Sequence, residues 1–141
     1  MRLEDLAFLW PLGLAQLISF LFPLDQEWYQ SIAQKVYTPP SRVFSIVWPI
    51  LYILIGIVIT NTDDSSARKS LYTHLVLTYL WIVVFNYFKN ITLGLIIIIM
   101  AVLTIIFYFA NDYDSYSYLL IPNLLWLIYA TYLNYHIYLT N

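Results

Sequence analysis

Long apolar stretches separated by short polar ones are the main pattern along the chain. Each of the five stretches is close to the ~17–25 residues that cross the hydrocarbon of a bilayer as a helix. Alternation of apolar and polar positions, which would indicate strands, is absent from the sequence. Backbone groups in lipid must be satisfied within their own segment, which favours helices. The sequence therefore predicts an all-α integral membrane protein, a bundle of five transmembrane helices over residues 6–22, 41–60, 71–88, 93–110 and 118–139.

The polar stretches predict the connections between these spans. Residues 24–40 form a long connection that we expect to be partly helical, 61–70 and 111–117 are hydrophilic loops, and 89–92 is a tight turn. No linker or internal repeat divides the sequence, so residues 1–141 are predicted to form one domain. The six Lys and Arg residues divide equally between the two predicted membrane faces and do not indicate an orientation.

Composition excludes a water-soluble globular domain. Hydrophobic residues make up 62% of the sequence and charged residues 10%, against about 25% charged residues in soluble domains. A fold of this size cannot bury so much apolar surface from water. The net charge of −2 with scattered cations argues against a nucleic-acid partner. The absence of cysteine and the separation of the two histidines from carboxylates predict neither a metal site nor a catalytic cluster.

Three tryptophans lie well inside predicted spans rather than at their ends. Trp48, Trp81 and Trp126 are about seven to eleven residues into their helices, which is roughly 10–16 Å of helical rise. Tryptophan in membrane proteins is usually found at the interfaces instead. Because a buried indole N–H needs an acceptor, each ring requires a partner on another helix or on a ligand.

Each of these tryptophans shares a helix face with other residues. The groups at helical spacing are Trp48 and Tyr52; His74, Thr78, Trp81 and Phe85; and Trp126, Ala130 and Asn134. The span 93–110 has no such stripe and is expected to pack or to face lipid. Three converging faces would enclose a cavity with aromatic walls, which suits a flat, mostly apolar ligand. The alternative is that the stripes pack against one another, and the spacing alone favours this packing interpretation.

Three blocks of residues follow one another in a characteristic order and spacing. They are Trp28-Tyr29, Pro39-Pro40, Val47-Trp48, Leu51-Tyr52 and Gly56; then Trp81 and Phe85; then Pro122, Trp126, Ala130-Thr131, Leu133-Asn134-Tyr135 and Asn141. In order and spacing these blocks resemble the translocator protein family (TspO, also called the peripheral-type benzodiazepine receptor family). The resemblance covers most of the chain and favours the cavity over simple packing.

The resemblance implies five transmembrane helices with a pocket beneath the first loop, which acts as a lid. The family's ligands are porphyrins and haem-related tetrapyrroles, sterols, and synthetic benzodiazepine and isoquinoline-carboxamide compounds. By position, the pocket would be lined by Trp48, Tyr52, Trp81, Phe85, Trp126 and Ala130, with His74 and Thr78 where the family usually has Gln and Asn. The lid would contain Trp28, Tyr29, Pro39 and Pro40.

This resemblance implies a membrane receptor or carrier that binds a tetrapyrrole or a sterol-like ligand. Porphyrin or haem would be a ligand, and no cofactor is required. Two alternatives stay open: a light-dependent porphyrin-degrading enzyme, and a structural or regulatory membrane subunit without a ligand. The cholesterol motif proposed for the family lacks its Lys or Arg after Leu133 and Tyr135.

The expected partners are the lipid bilayer and a hydrophobic small molecule. A homodimer is also open, although the small residues of the family's dimer contact are replaced by Lys69 and Thr73. The resemblance implies a multi-pass protein of the outer mitochondrial membrane in a eukaryote, or of the cell membrane in a bacterium.

Overall fold

The computed structural model describes residues 3–39 and 41–141, without the side chains of Leu3, Glu4 and Ser41. Every regular element in these residues is helical, which confirms the all-α class. The α-helices are α1 (Trp10–Leu21), α2 (Gln26–Ile32), α3 (Ser41–Asn61), α4 (Ser65–Asn86), α5 (Ile91–Asn111) and α6 (Ile121–Thr140). Two 3₁₀-helices, Leu3–Leu9 and Ser117–Leu120, run directly into α1 and α6.

Length and hydropathy do not by themselves establish five membrane spans. Within the described residues, Arg42–Asn61 and Ile91–Asn111 are long and apolar enough to cross a membrane. A third span is added if Asp5–Leu21 and Gln26–Ile32, which are bent by 91°, count as one. α4 and α6 have 22 and 20 residues, but their hydropathy is lower because α4 begins in a polar run and α6 carries tyrosine, asparagine and histidine.

Capping side chains decide where helices begin in the polar connections. Only residues 62–64 of the predicted loop 61–70 lie outside helices, because the Asp64 carboxylate accepts a hydrogen bond from the Ser66 N–H (2.9 Å) and α4 starts at Ser65. The same chemistry starts α2 within the first connection, where Asp25 accepts from the Trp28 N–H (3.1 Å). A side-chain oxygen that satisfies an otherwise free N–H is the usual helix start.

The helices pack around α3, α4 and α5. α5 lies between α4 and α6, and α3 contacts Leu3–Leu9, α1, Ser117–Leu120 and α4. The largest apolar cluster lies where these elements meet and includes Ile55, Leu71, Leu75, Ile105 and Tyr108. This tightly packed part of the bundle core lies toward the start of α4 and the end of α5.

Gly56 allows α3 to approach the N-terminal 3₁₀-helix. A β-carbon at this position would overlap the backbone carbonyl of Phe8. Gly13 on α1 is different, because a β-carbon there would meet no atom within 4 Å. Glycine is therefore required at residue 56 by backbone contact and not at residue 13.

We expect Gly56→Ala to destabilise the protein by about 1–3 kcal/mol, as overpacking does in other cores. Gly13→Ala is the matched control and should be neutral or stabilising by up to about 1 kcal/mol, because alanine is the better helix residue. Thermal unfolding in detergent, followed by circular dichroism, measures both. Equal midpoints for the two variants would contradict the close approach at Gly56.

Candidate ligand-binding site

A cavity of about 370 Å³ lies between α1, α3, α4 and α6, beneath α2. α5 contributes no residue to its lining, in agreement with the absence of a polar or aromatic stripe on that helix. The lining residues are Ala15, Gln16 and Ser19; Leu24, Gln26 and Tyr29; Phe44, Ser45, Trp48, Pro49 and Tyr52; Thr78, Trp81, Ile82, Phe85 and Asn86; and Ala130, Leu133, Asn134 and Ile137.

Aromatic rings form two walls of this cavity. On α3, the rings of Trp48 and Tyr52 have centroids 5.8 Å apart. On α4, Trp81 and Phe85 are stacked, with centroids 4.8 Å apart and an interplanar angle of 14°. Ala130 on α6 is small and leaves space beside these rings. The stripes of α3 and α4 therefore face a shared space rather than only each other.

Polar groups in the lining are paired across helices. The Tyr52 hydroxyl donates to Thr78 Oγ1 (3.2 Å), which joins α3 to α4. The Trp81 indole N–H donates to Asn134 Oδ1 (3.3 Å), which joins α4 to α6. Asn134 in turn donates to the Ala130 carbonyl (2.7 Å). The partner that the Trp81 indole requires is thus on another helix, and the cavity keeps few free hydrogen-bonding groups.

None of the lining residues carries a charge, a histidine or a cysteine. The described part of the chain also has no group of three metal-ligating side chains. The cavity can therefore stack rings and bury apolar surface, but it contains no acid–base pair for catalysis.

His74 does not reach the cavity, although it shares the α4 stripe. It is fully buried one helical turn beyond Thr78, where α5 and α6 close over it. Its Nδ1 lies 2.9 Å from the Ala101 carbonyl, which can only accept, so Nδ1 carries the proton. Nε2 then accepts from the Asn123 side-chain amide (3.0 Å). This residue connects α4, α5 and α6 and does not line the ligand site.

Trp126 also lies outside the cavity. It occupies a shallow apolar groove between α3 and α6, beside Leu51 and Pro122, and its ring meets Phe44 edge-on at 5.5 Å. Its indole N–H has no acceptor among the described residues. The lining of α6 begins at Ala130, one turn further along the helix. Trp126 therefore shares a helix face with Ala130, as the spacing predicts, but it lies one turn before the first residue of α6 that lines the cavity.

The segment predicted to be a lid, called the lid below, is α2 with its flanking residues. Of the predicted lid positions that the structure describes, only Tyr29 lines the cavity. Trp28 packs against the Phe85 ring with centroids 5.1 Å apart. Pro39 is partly buried and is not among the lining residues. Pro40 lies outside the described residues.

Three polar contacts hold the lid to the bundle. The side-chain amide of Asn86 donates to the Phe22 carbonyl (3.0 Å), and that of Asn141 donates to the Ile32 carbonyl at the end of α2 (2.7 Å). Lys89 donates to Asp25 Oδ2 (3.0 Å). The Trp28 N–H and then Lys89 hold the pKa of the Asp25 carboxyl below its ordinary value.

The cavity includes a wall that sequence reasoning missed. Ala15, Gln16 and Ser19 of α1 contribute to it, and so do Pro49 of α3 and Asn86 of α4. Gln16 and Ser19 are three residues apart in an otherwise apolar stretch, so they lie on one face of the helix. Two polar side chains on one face of an apolar span are the signal that would have identified α1 as a cavity wall.

Comparison with known proteins identifies close sequence relationships. The model of the TspO/MBR family matches residues 7–139. The "Tryptophan-rich protein TspO" of Archaeoglobus fulgidus is 35% identical over 126 residues, covering 82% of this chain and 81% of the relative. The protein of the same name from Bacillus cereus is 30% identical over 138 residues, covering 92% and 90%. The "Uncharacterized membrane protein YtaB" of Bacillus subtilis is 33% identical over 130 residues, covering 84% and 83%.

Asp25→Ala should accelerate amide exchange in α2 more than Asp25→Asn does. Asparagine still caps the helix, whereas neither variant keeps the ion pair with Lys89. Hydrogen–deuterium exchange of peptides from α2 measures the difference, with peptides from α5 as the internal control. Equal acceleration in both variants would contradict the capping role.

The pH dependence of the lid follows from the same carboxylate. Because the pKa of Asp25 is lowered in the folded protein, its stabilising contribution is complete above the ordinary pKa and is lost as the pH falls through the lowered value. Exchange in α2, corrected for the intrinsic rate, should rise over that acidic range in the parent protein. Asp25→Asn should not show this rise.

Asn123→Leu should destabilise the protein by about 1–3 kcal/mol, because His74 Nε2 would lose its donor in a buried site. In a His74→Leu background the same change should have a smaller effect, since no acceptor is left unpaired. Thermal unfolding of the four proteins gives the coupling between the two side chains. Additive effects would contradict a functional hydrogen bond between them.

Proposed function

This chain belongs to the TspO/MBR family, and we propose that it is a receptor or carrier that binds a flat, mostly apolar ligand of the tetrapyrrole or sterol-like type. Family membership and the apolar helices make it a membrane protein of the TspO/MBR type. The proposal extends this to the ligand and to the cavity that holds it.

The five spans of this proposal are α3, α4, α5, α6 and α1 together with the 3₁₀-helix Leu3–Leu9 that runs into it. α4 and α6, with 22 and 20 residues, would be roughly 30–33 Å long, which matches a hydrocarbon core of about 30 Å. Both pack along α5, which is apolar enough to cross on its own. Four polar side chains of α4 and α6 that lower their hydropathy are buried, namely His74, Thr78, Asn123 and Asn134, whereas the tyrosines near the end of α6 and the polar start of α4 are exposed. The protein would be multi-pass, in the cell membrane of a prokaryotic source.

The observation that carries the proposal is the aromatic cavity itself. Its volume of about 370 Å³ is within the range of about 300–1,000 Å³ that is usual for small-molecule pockets, near the lower end. Trp48, Tyr52, Trp81 and Phe85 contribute their rings to the lining. Aromatic pairs contribute about 0.5–1.5 kcal/mol beyond the burial of their area, so a flat conjugated or fused-ring ligand is favoured over a flexible chain.

The uncharged lining determines how such a ligand is oriented. A buried carboxylate without a cationic partner is strongly unfavourable, so the acidic substituents of a porphyrin would remain at the rim. The exposed side chains of Gln16, Ser19 and Gln26 provide polar groups there. A neutral sterol-like ligand would need no such orientation.

The alternative of light-driven porphyrin degradation begins with the same binding step, and product analysis after illumination separates it from binding alone.

Titration with protoporphyrin should quench tryptophan fluorescence in a saturable manner. Trp48→Leu removes a ring from the cavity wall and should weaken binding about two- to tenfold, the equivalent of one aromatic contact. Trp126→Leu is the matched control, because it removes a ring of the same kind outside the cavity. A sterol competitor, added to the complex, tests the second ligand class at the same site.

A bound ligand should also raise the midpoint of thermal unfolding, since it stabilises only the folded state. Equal losses of affinity in the two tryptophan variants would place the ligand elsewhere. The absence of saturable quenching together with an unchanged midpoint would favour the structural subunit without a ligand.

A further inference from the structure

A second concave surface lies at the opposite end of the bundle from the cavity. It is a groove of about 540 Å³ between the start of α4 and the end of α5. Its lining residues are Ser65, Ser66, Lys69, Ser70, Thr73, Leu103, Thr104 and Phe107. The cavity is lined by residues 78–86 of α4 and by none of α5, so the groove and the cavity share no residue.

The two walls of the groove differ in polarity. The α4 wall carries the serines, Lys69 and Thr73, and Thr73 is eight residues, or about 12 Å, along the helix from Ser65. On the α5 wall, Leu103 and Phe107 are 58% and 56% exposed. The groove therefore offers a cation and hydroxyl groups on one wall and exposed apolar surface on the other.

Lys69 is the one charged residue of the groove lining. It is exposed, and no carboxylate of the described residues lies within salt-bridge distance of its ammonium group. The hydroxyls of Thr73 and Thr104 donate to the carbonyls of Lys69 and Ala101 within their own helices (2.8 and 2.7 Å). An anionic occupant would therefore find its charged partner in the lining at Lys69.

We propose that this groove binds one anionic phospholipid of the bilayer, with its phosphate at Lys69 and the serine hydroxyls and one acyl chain along Leu103 and Phe107. A membrane protein meets such lipids at the headgroup level, where the spans proposed above place the start of α4 and Lys69. A phosphate pairs with Lys69, the cation of the groove lining, and Phe107 and Leu103 follow each other from the end of α5 inward, in the direction that an acyl chain takes. This site is separate from the proposed ligand cavity and rests only on the proposed crossing of α4 and α5.

A second copy of the chain is the competing occupant, and the observations disfavour it. Close packing of helices in membranes uses small residues at the contact. This face has small serines and threonines, but Lys69 and Phe107 stand among them and would hold a second helix away. A twofold contact through the same face would also bring two Lys69 side chains toward each other. Like charges in lipid would oppose that contact, while an anionic headgroup neutralises each of them.

Native mass spectrometry of the full-length protein with phosphatidylglycerol or phosphatidylcholine, both with the same acyl chains, tests the proposal. The parent protein should retain phosphatidylglycerol with about fivefold preference, the effect of one lysine near a membrane surface. Lys69→Gln should abolish the preference, and Lys69→Arg should keep it. Lys35→Gln, an equal loss of charge at an exposed lysine outside the groove, should also keep it.

Several outcomes would overturn the proposal. Equal retention of the two lipids by the parent protein would show that the groove does not prefer an anionic headgroup. An equal loss of preference in Lys35→Gln would show that the preference depends on the net charge of the protein and not on Lys69. Displacement of phosphatidylglycerol by inorganic phosphate would identify a site for free anions without an acyl-chain contact. A dimer that changes with Lys69→Gln while lipid preference does not would identify the second copy as the occupant.

Discussion

Hydrogen bonds between polar side chains of different helices determine how this bundle is arranged. In an apolar surrounding these groups have no water to bond, so they must find each other. Tyr52 with Thr78, Trp81 with Asn134, and His74 with Asn123 each join two helices. Such bonds average only about 0.6 kcal/mol in membrane proteins. Their importance is in geometry, because a helix that rotates or slides would leave a buried polar group unpaired.

These bonds also separate the bundle into a filled end and an open end. Around His74, α4, α5 and α6 are held together, and next to them α3 is drawn against the N-terminal segment at Gly56. From Thr78 toward the end of α4, the side chains that face each other are aromatic. Trp48 pairs with Tyr52 on α3 and Trp81 with Phe85 on α4, and the small Ala130 on α6 leaves space between the two pairs. The cavity is thus bounded on one side by the polar network and on the other by the lid.

The helices and much of the cavity were predictable because both depend on periodicity. Apolar runs identify the long helices, and one-turn spacing identifies the faces that carry Tyr52, Trp81 and Ala130. Spacing gives the face of a helix but not the depth at which neighbouring helices separate, which is why His74 and Trp126 share a stripe with lining residues and still lie outside the cavity. Hydropathy alone identifies two or three spans among the described residues, and it counts polar residues that pair inside the bundle, such as His74 and Asn134, in the same way as polar residues on its outside.

The attachments of the predicted lid differ in strength. Its ion pair is exposed on both sides, with 40% of Lys89 and 44% of Asp25 accessible, and exposed pairs contribute little to stability. Two amide-to-carbonyl hydrogen bonds, from Asn86 and Asn141, also tie it to the bundle. Ile32 at the end of α2 is buried and forms an apolar cluster with Phe85 and Ile137. Because burial of apolar surface is the larger stabilising contribution, separation of α2 from the bundle would have to break this cluster, whereas the polar ties alone would cost little.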